Sequence, residues 1–247
     1  MFQPRRYRRR FSLDGIVSFT VVCKETDLWV GISNGVSIEK AKRLVSETVM
    51  DVRRDIEGYI EKDPGFLEAL HPYSVENGAP EVVLKMVEAT LKAGVGPMAA
   101  VAGAISGFVG VRLREVLKVD KVIVENGGDI YAYAREPVVA SIYAGSSPFS
   151  QRIGIRVDSD LMPVGICTSS GTVGHSLSFG SADAVTVVAK EPAVADAFAT
   201  AFGNMVKSEA DIREVLNRAG DVGDIIGVVV IFRDKMGARG DIQLVKM

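Results

Sequence analysis

The run Gly165-Ile166-Cys167-Thr168-Ser169-Ser170-Gly171-Thr172-Val173-Gly174-His175 concentrates the residue types that handle anions and protons. Its glycines allow the backbone to bend sharply and to come close to a ligand. The N–H groups and hydroxyls of Thr168, Ser169, Ser170 and Thr172 could line a phosphate-sized concavity. His175 is one of only two histidines in the chain and could hold or move a proton near pH 7. The alternative is a polar surface loop between two strands, because Gly, Ser and Thr are ordinary connector residues.

Three other stretches carry chemistry-bearing residues. In Glu125-Asn126-Gly127-Gly128-Asp129-Ile130 the glycines permit close backbone approach. Asn126 and Asp129 could read the polar edge of a ligand or satisfy the N–H groups of their own turn. In Ala195-Asp196-Ala197-Phe198-Ala199-Thr200-Ala201, Asp196 and Thr200 stand at i and i+4 of a helix and share a face. A carboxylate and a hydroxyl so placed can hold a hard divalent cation, with phosphate oxygens and water completing its shell. The alternative is an aspartate complementing the helix dipole and a threonine bonded back to a carbonyl. Gly94-Val95-Gly96-Pro97-Met98-Ala99-Ala100 leads into an apolar helix whose free N–H groups could face an anion, although glycine and proline also simply start helices. His71, in His-Pro-Tyr, reads as a surface or packing residue. The chain has no Walker A sequence, no GxGxxG after a strand, no HExxH and no zinc-ligand spacing. Two histidines nearly exclude a multi-histidine metal centre.

The elements that must carry these residues follow from periodicity. Residues 6–12, 15–23 and 27–33 predict an antiparallel meander with a turn at Asp14-Gly15 and a half-buried Trp29. Ser37 is positioned to cap a helix running to Tyr59 or Ile60, with Ala41, Leu44, Val45, Thr48, Val49, Val52, Ile56 and Tyr59 on its apolar face. Asp63-Pro64-Gly65 ends it, and a short helix at 65–70, a helix at 80–92 and a third from Met98 to about Leu117 follow. Strands are predicted at 120–125, 129–134, 138–144 and 151–157, then a loop at 165–174, a strand at 183–189 and a helix at 192–206. Ser208 would cap a helix to Arg218, and strands 225–233 and 239–246 would close the chain as a hairpin across residues 235–240. Runs of strands and runs of helices in this order predict an α+β fold, antiparallel sheet with helices packed on one face, in a single domain spanning residues 1–247.

Composition narrows the class. Hydrophobic residues at 47% and charged residues at 24% describe a globular chain with a sizeable core. A formal net charge of −2 argues against a general nucleic-acid binder. Cys23 and Cys167 lack CxxC spacing and read as buried thiols in a reducing compartment. No apolar run has the length of a membrane span; residues 94–111 come nearest and read as a buried helix. Arg5, Arg6, Arg8, Arg9 and Arg10 read as a solvated basic edge strand, or as an arm for an anionic ligand or a partner. A twin-arginine export signal would need an uncharged apolar stretch next, which Asp14 interrupts, so the expected location is the cytoplasm.

Taken as a set, three motifs resemble the ApbE family, flavin transferases that move FMN from FAD onto a protein threonine. Asn126-Gly127-Gly128-Asp129-Ile130 is similar to that family's Asn-Gly-Gly-Asp strand turn. Thr168-Ser169-Ser170-Gly171 with His175 downstream is similar to its Thr-Ser-Gly segment and histidine. Ala195 to Ala201 is similar to its Ala-Asp-Ala-x-(Ala/Ser)-Thr-Ala helix, with a matching Gly203 after it. The resemblance covers roughly residues 94–206, in the family's order, and points to a soluble branch of ApbE-like proteins. It implies the T-fold type of antiparallel sheets backed by helices. It implies magnesium held by Asp196, Thr200 and the backbone oxygen of Ala99, with FAD as ligand or substrate. The FAD diphosphate would lie near that ion, near Asn126, Gly127, Gly128 and Asp129, and near Thr168, Ser169, Ser170 and Gly171. A base at His175 would activate an acceptor hydroxyl, so the partners implied are a flavin or other dinucleotide and an acceptor protein. Where the family has His-Ile-Ile-Asp-Pro this chain has His175-Ser176-Leu177-Ser178-Phe179, and where it has a lysine after the Ala99 equivalent this chain has Ala100.

The function expected is thus magnesium-dependent flavin binding, with FMN transfer or FAD cleavage as its catalytic form. A non-catalytic flavin- or nucleotide-binding protein and a structural or assembly protein remain the alternatives; a homo-oligomer is compatible with each.

Overall fold

The structure is a computed structural model and describes residues 15–173 and 179–247. Its framework is an antiparallel eight-stranded sheet in the order β1-β2-β3-β4-β7-β8-β9-β10. The strands are β1 (Ile16–Cys23), β2 (Thr26–Ser33), β3 (Lys121–Asn126), β4 (Asp129–Ala134), β7 (Val164–Ser169), β8 (Ala184–Ala189), β9 (Ile225–Phe232) and β10 (Lys235–Gly240). A second sheet, β11-β6-β5, is built from β5 (Val138–Ser141), β6 (Ile153–Val157) and β11 (Gln243–Lys246). The helices are α1 (Ile38–Lys62), α2 (Gly65–Glu68), α3 (Glu81–Ala93), α4 (Val101–Leu117), α5 (Pro192–Met205) and α6 (Asp211–Gly220).

The large sheet is covered on both faces, which explains its uninterrupted apolar strands. In β8, Val185 and Val187 join the helix-side core, while Ala184 and Val188 join the core beneath the second sheet. A strand buried on both sides needs no polar alternation. The α+β expectation holds, with the helices on one face and a small sheet on the other. Ser37 caps α1 by accepting from the Lys40 N–H, and Ala41, Val45, Val49, Val52, Ile56 and Tyr59 form its buried stripe. The helix runs past Ile60 to Lys62, where the Asp63 N–H bonds to the Tyr59 carbonyl. Residues 94–111, the most apolar run, form a 3-10 turn at Pro97–Ala100 and much of α4. Among the described residues no single helix is long and apolar enough to cross a membrane.

Several expectations are corrected. The loop expected at 165–174 is strand β7 as far as Ser169, an interior strand between β4 and β8. Its Gly, Thr and Ser content masked a strand whose first four residues are buried. The C-terminal hairpin turns earlier than predicted, at Arg233-Asp234, because Arg233 adopts φ 55. Residues 235–240 therefore form β10, and the chain then crosses to the second sheet as β11. Ser208 does not cap α6; that helix begins at Asp211, whose carboxylate accepts from the N–H groups of Lys207 and Ser208 and from the Ser208 hydroxyl. Trp29 is buried, 8% exposed, rather than half-buried. The predicted strand at 6–12, with the arginine run, lies outside the described residues.

Helix α4 approaches the sheet closely because it carries glycines on that side. A Cβ at Gly110 would fall into the ring of Tyr131 on β4, 2.6 Å from Cε1. Gly110→Ala gains some helix propensity, but the overpacking of an interior ring outweighs it. The expected outcome is a loss of about 1–3 kcal/mol of unfolding free energy, measured by urea denaturation.

Candidate active site

One end of the large sheet gathers the flagged segments. The β3–β4 turn at Gly127-Gly128 lies there, and Gly127 and Gly128 take φ 71 and 111. The register pairs Asn126 with Asp129 and Asp129 with Cys167, so these three side chains share a face. That face is the helix side: the Asn126 Nδ2 donates to the Ala102 carbonyl at 3.2 Å, and the Cys167 thiol donates to the Pro192 carbonyl at 3.4 Å.

Asp196 meets them from α5. Its Oδ2 accepts the Gly103 N–H at 2.8 Å, in the first turn of α4. The anion expected at the start of this helix is therefore, in part, the protein's own carboxylate. Gly103 allows the approach, since a Cβ there would stand 2.8 Å from the Asp196 Cβ and would strike the Pro192 carbonyl. Thr200 follows one turn later, partly buried, and Ala99 lies partly buried in the 3-10 turn leading into α4.

Asp129 and Asp196 are buried carboxylates that influence one another. Burial pushes Asp196 up to about 7, against the pull of the Gly103 and Ala102 N–H groups, which favour the charged form. Burial pushes Asp129 well above the usual carboxylate range, and the charge of Asp196 adds to the rise. Burial likewise raises the Cys167 thiol, helped by the two nearby carboxylates, so it remains a protonated donor. Among the described residues neither carboxylate forms an ion pair with Lys or Arg.

The Thr168–Gly171 segment divides between two faces. Ser169 follows Cys167 by two residues and points to the helix side, where its Oγ lies 3.2 Å from the Cβ position of Gly203. Thr168 points to the opposite face and shares a 2.9 Å hydrogen bond with Thr186. The Ser170 Oγ accepts the Thr172 and Val173 N–H groups at 3.2 and 3.0 Å. The Gly171 N–H donates to the Ala182 carbonyl at 2.9 Å. Much of the polar capacity expected to face a ligand is thus engaged within the bend itself. Glu125 is also buried and accepts the Gly128 N–H at 2.8 Å, bracing the turn. His175 lies outside the described residues, and His71 is exposed in the loop after α2.

Sequence reasoning expected free N–H groups at the start of this helix but missed that Ala102 and Gly103 offer them to Asp196, and it missed the buried Asp183. Backbone groups carry no side-chain signal. Asp183 precedes a run of small and β-branched residues and reads as an ordinary strand flank.

Comparison with known proteins shows the family and the fold. A family model described as "AbpE bacteria" matches residues 8–233. The chain belongs to this ApbE-like family. It is 41% identical over 232 residues to the UPF0280 protein of Methanocaldococcus jannaschii, covering 92% of each chain. It is 43% identical over 213 residues to the UPF0280 protein of Methanococcus aeolicus, covering 84% of this chain and 86% of that one. The fold is similar to that of the flavin transferase ApbE from Vibrio cholerae, at a TM-score of 0.59 and 12% identity, over 91% of this chain and 96% of that one. It is also similar to the apo flavinyl transferase ApbE from Pseudomonas stutzeri, at a TM-score of 0.53 and 17% identity, over 91% and 93%.

The raised carboxylates give this ApbE-like chain a testable pH dependence. Asp196 releases its proton near its ordinary value of 3.8 when unfolded and near 7 when folded, so the folded state holds the proton more tightly. Its contribution to stability is complete below about pH 4 and is lost as pH rises to about 7; Asp129 acts in the same direction. In chelator-containing buffer, unfolding free energy should fall over that window by an amount on the order of 4 kcal/mol from Asp196. Asp196→Asn should flatten the slope in urea titrations across the window; an unchanged slope would show that Asp196 does not carry it.

Proposed function

We propose that the chain binds FAD together with Mg2+ at this end of the sheet and, in its catalytic form, transfers FMN to an acceptor protein. The observation that carries the reading is the buried Asp129–Asp196 pair. Two carboxylates drawn out of water at one point are costly unless protons or a cation compensate them. Among the described residues no group of three or more His, Cys, Asp and Glu side chains could hold a metal. A cation here would therefore take Asp196 with neutral oxygens, the Thr200 hydroxyl and the Ala99 carbonyl, plus oxygens from the ligand. That all-oxygen set suits Mg2+, which keeps water and phosphate in its shell. The names of the V. cholerae and P. stutzeri proteins support a flavin as the ligand.

When bound, the ion would offset the negative charge of the diphosphate as it leaves. The chain's own residues supply the rest. Asn126 holds the turn against the start of α4 through the Ala102 carbonyl, and Asp129 and Ser169 line the same side. His175 would take the proton from the acceptor hydroxyl as it attacks the FMN phosphorus, with AMP departing. Ser178, standing where the family has an acid, favours a second reading in which the chain binds FAD without turnover.

Calorimetric titration should show FAD binding with MgCl2 and none with chelator. Asp196→Ala should weaken it by about a hundredfold, as expected for a lost charged ligand. FMN and AMP release in the presence of an acceptor, stopped by His175→Ala with binding retained, would identify the transferase. Magnesium-dependent binding without release would identify the binding protein, and no binding under either condition would sink both.

A further inference from the structure

Beyond the carboxylate pair, another buried acid joins three loops. Asp183 is 6% exposed and stands just before β8. Its Oδ1 accepts the Thr172 hydroxyl at 3.0 Å, and its Oδ2 accepts the Arg233 N–H at 2.5 Å. The Arg233 carbonyl in turn accepts the Ser147 hydroxyl at 2.7 Å, from the loop between β5 and β6. That loop packs on the bend directly: a Cβ at Gly145 would stand 2.8 Å from the Val173 Cγ2. One carboxylate thus ties the bend after β7 to the β9–β10 turn, and through that turn to the second sheet.

We propose that Asp183 is the positioning residue of the bend Ser170–Val173, fixing how that bend is presented to the ligand. The inference rests on the flavin reading above and deepens it. The bend alone is a short run closed by Ser170 accepting two neighbouring N–H groups and by one backbone bond from Gly171 to Ala182. Local bonds of that kind fix the shape of a turn but leave it free to pivot about its ends. Asp183 removes the pivot, because its two oxygens are engaged by partners from different loops. An acceptor is required only on the Arg233 side, because the Arg233 N–H can only donate, whereas the Thr172 hydroxyl is free to donate or accept. Asparagine can therefore replace Asp183, with its oxygen to Arg233 and its amide nitrogen to the Thr172 oxygen, whereas alanine cannot. Asp183 lies outside the Asp129–Asp196 cluster, and its replacement leaves the proposed cation ligands untouched.

The test uses the full chain with FAD and Mg2+, beside hydrogen exchange of the Gly171, Thr172 and Val173 amides. Thr172→Val and Asp183→Ala should each weaken FAD binding about tenfold, as for loss of a hydrogen bond to a charged group, while Asp183→Asn stays within about twofold of the parent. The three amides should exchange about tenfold faster in the first two variants and at parental rates in the third. Thr172→Val deletes one surface-proximal hydroxyl and keeps the question open to measurement if Asp183→Ala does not fold. Parental exchange rates in Thr172→Val would overturn the clamp. Faster exchange with unchanged FAD affinity would overturn its role toward the ligand. If the parent chain itself binds no FAD, the flavin reading fails, and the exchange rates alone decide whether Asp183 holds the bend.

Discussion

Burial of the Asp196 carboxylate constrains everything around it. A charged oxygen cannot be taken into an apolar core without donors, so α5 must present Asp196 to the first turn of α4, where the Gly103 N–H supplies one. That contact requires the two helices to approach more closely than side chains normally permit. Gly103 and the alanines of α5 meet the requirement, and α5 is buried at nearly every position from Pro192 to Ala199 as a result. The same contact sets the depth of α4 over the sheet, where Gly110 yields its space to Tyr131. A helix otherwise poorly suited by its glycines is stabilised by what those glycines allow to pack against it.

The second constraint is that both faces of the large sheet are covered. Loops can then reach a ligand only from the ends of the strands. The β3–β4 turn, the bend after β7 and the β9–β10 turn all emerge at one end, and the start of α4 lies over it. Segments distant in sequence converge there because antiparallel strands return their connections to the same end. A binding site at that end uses the sheet as a rigid base and the loops as adjustable contacts.

The sequence made the helices legible where a single apolar stripe faced the core. The stripe from Ala41 to Tyr59 and the Ser37 cap are read directly, because each depends on local spacing. The carboxylate and hydroxyl of α5 were legible in the same way. Strand β7 was not, because Gly165, Thr168 and Ser169 have loop-forming character and the strand exists only through its pairing with β4 and β8. The turn at Arg233 was misread for a related reason: a positive φ at arginine is imposed by the surrounding register and has no signal of its own. Neither the Gly103 N–H nor the two-sided role of Asp183 is visible in a sequence, since both depend on partners supplied from far along the chain.

Reading β7 as a strand also changes what its motif can do. Successive side chains alternate faces, so a polar string that looks like one lining is divided in two. Cys167 and Ser169 go to the helix side with Asp129 and Asp196, while Thr168 goes to the other side with Thr186. A loop could turn all its hydroxyls toward one ligand; a strand cannot. The direct contribution of this segment to a ligand on the helix side is therefore narrower than its composition suggests. It rests on Ser169 and on backbone groups, while the hydroxyls of Ser170 and Thr172 keep the adjoining bend in shape.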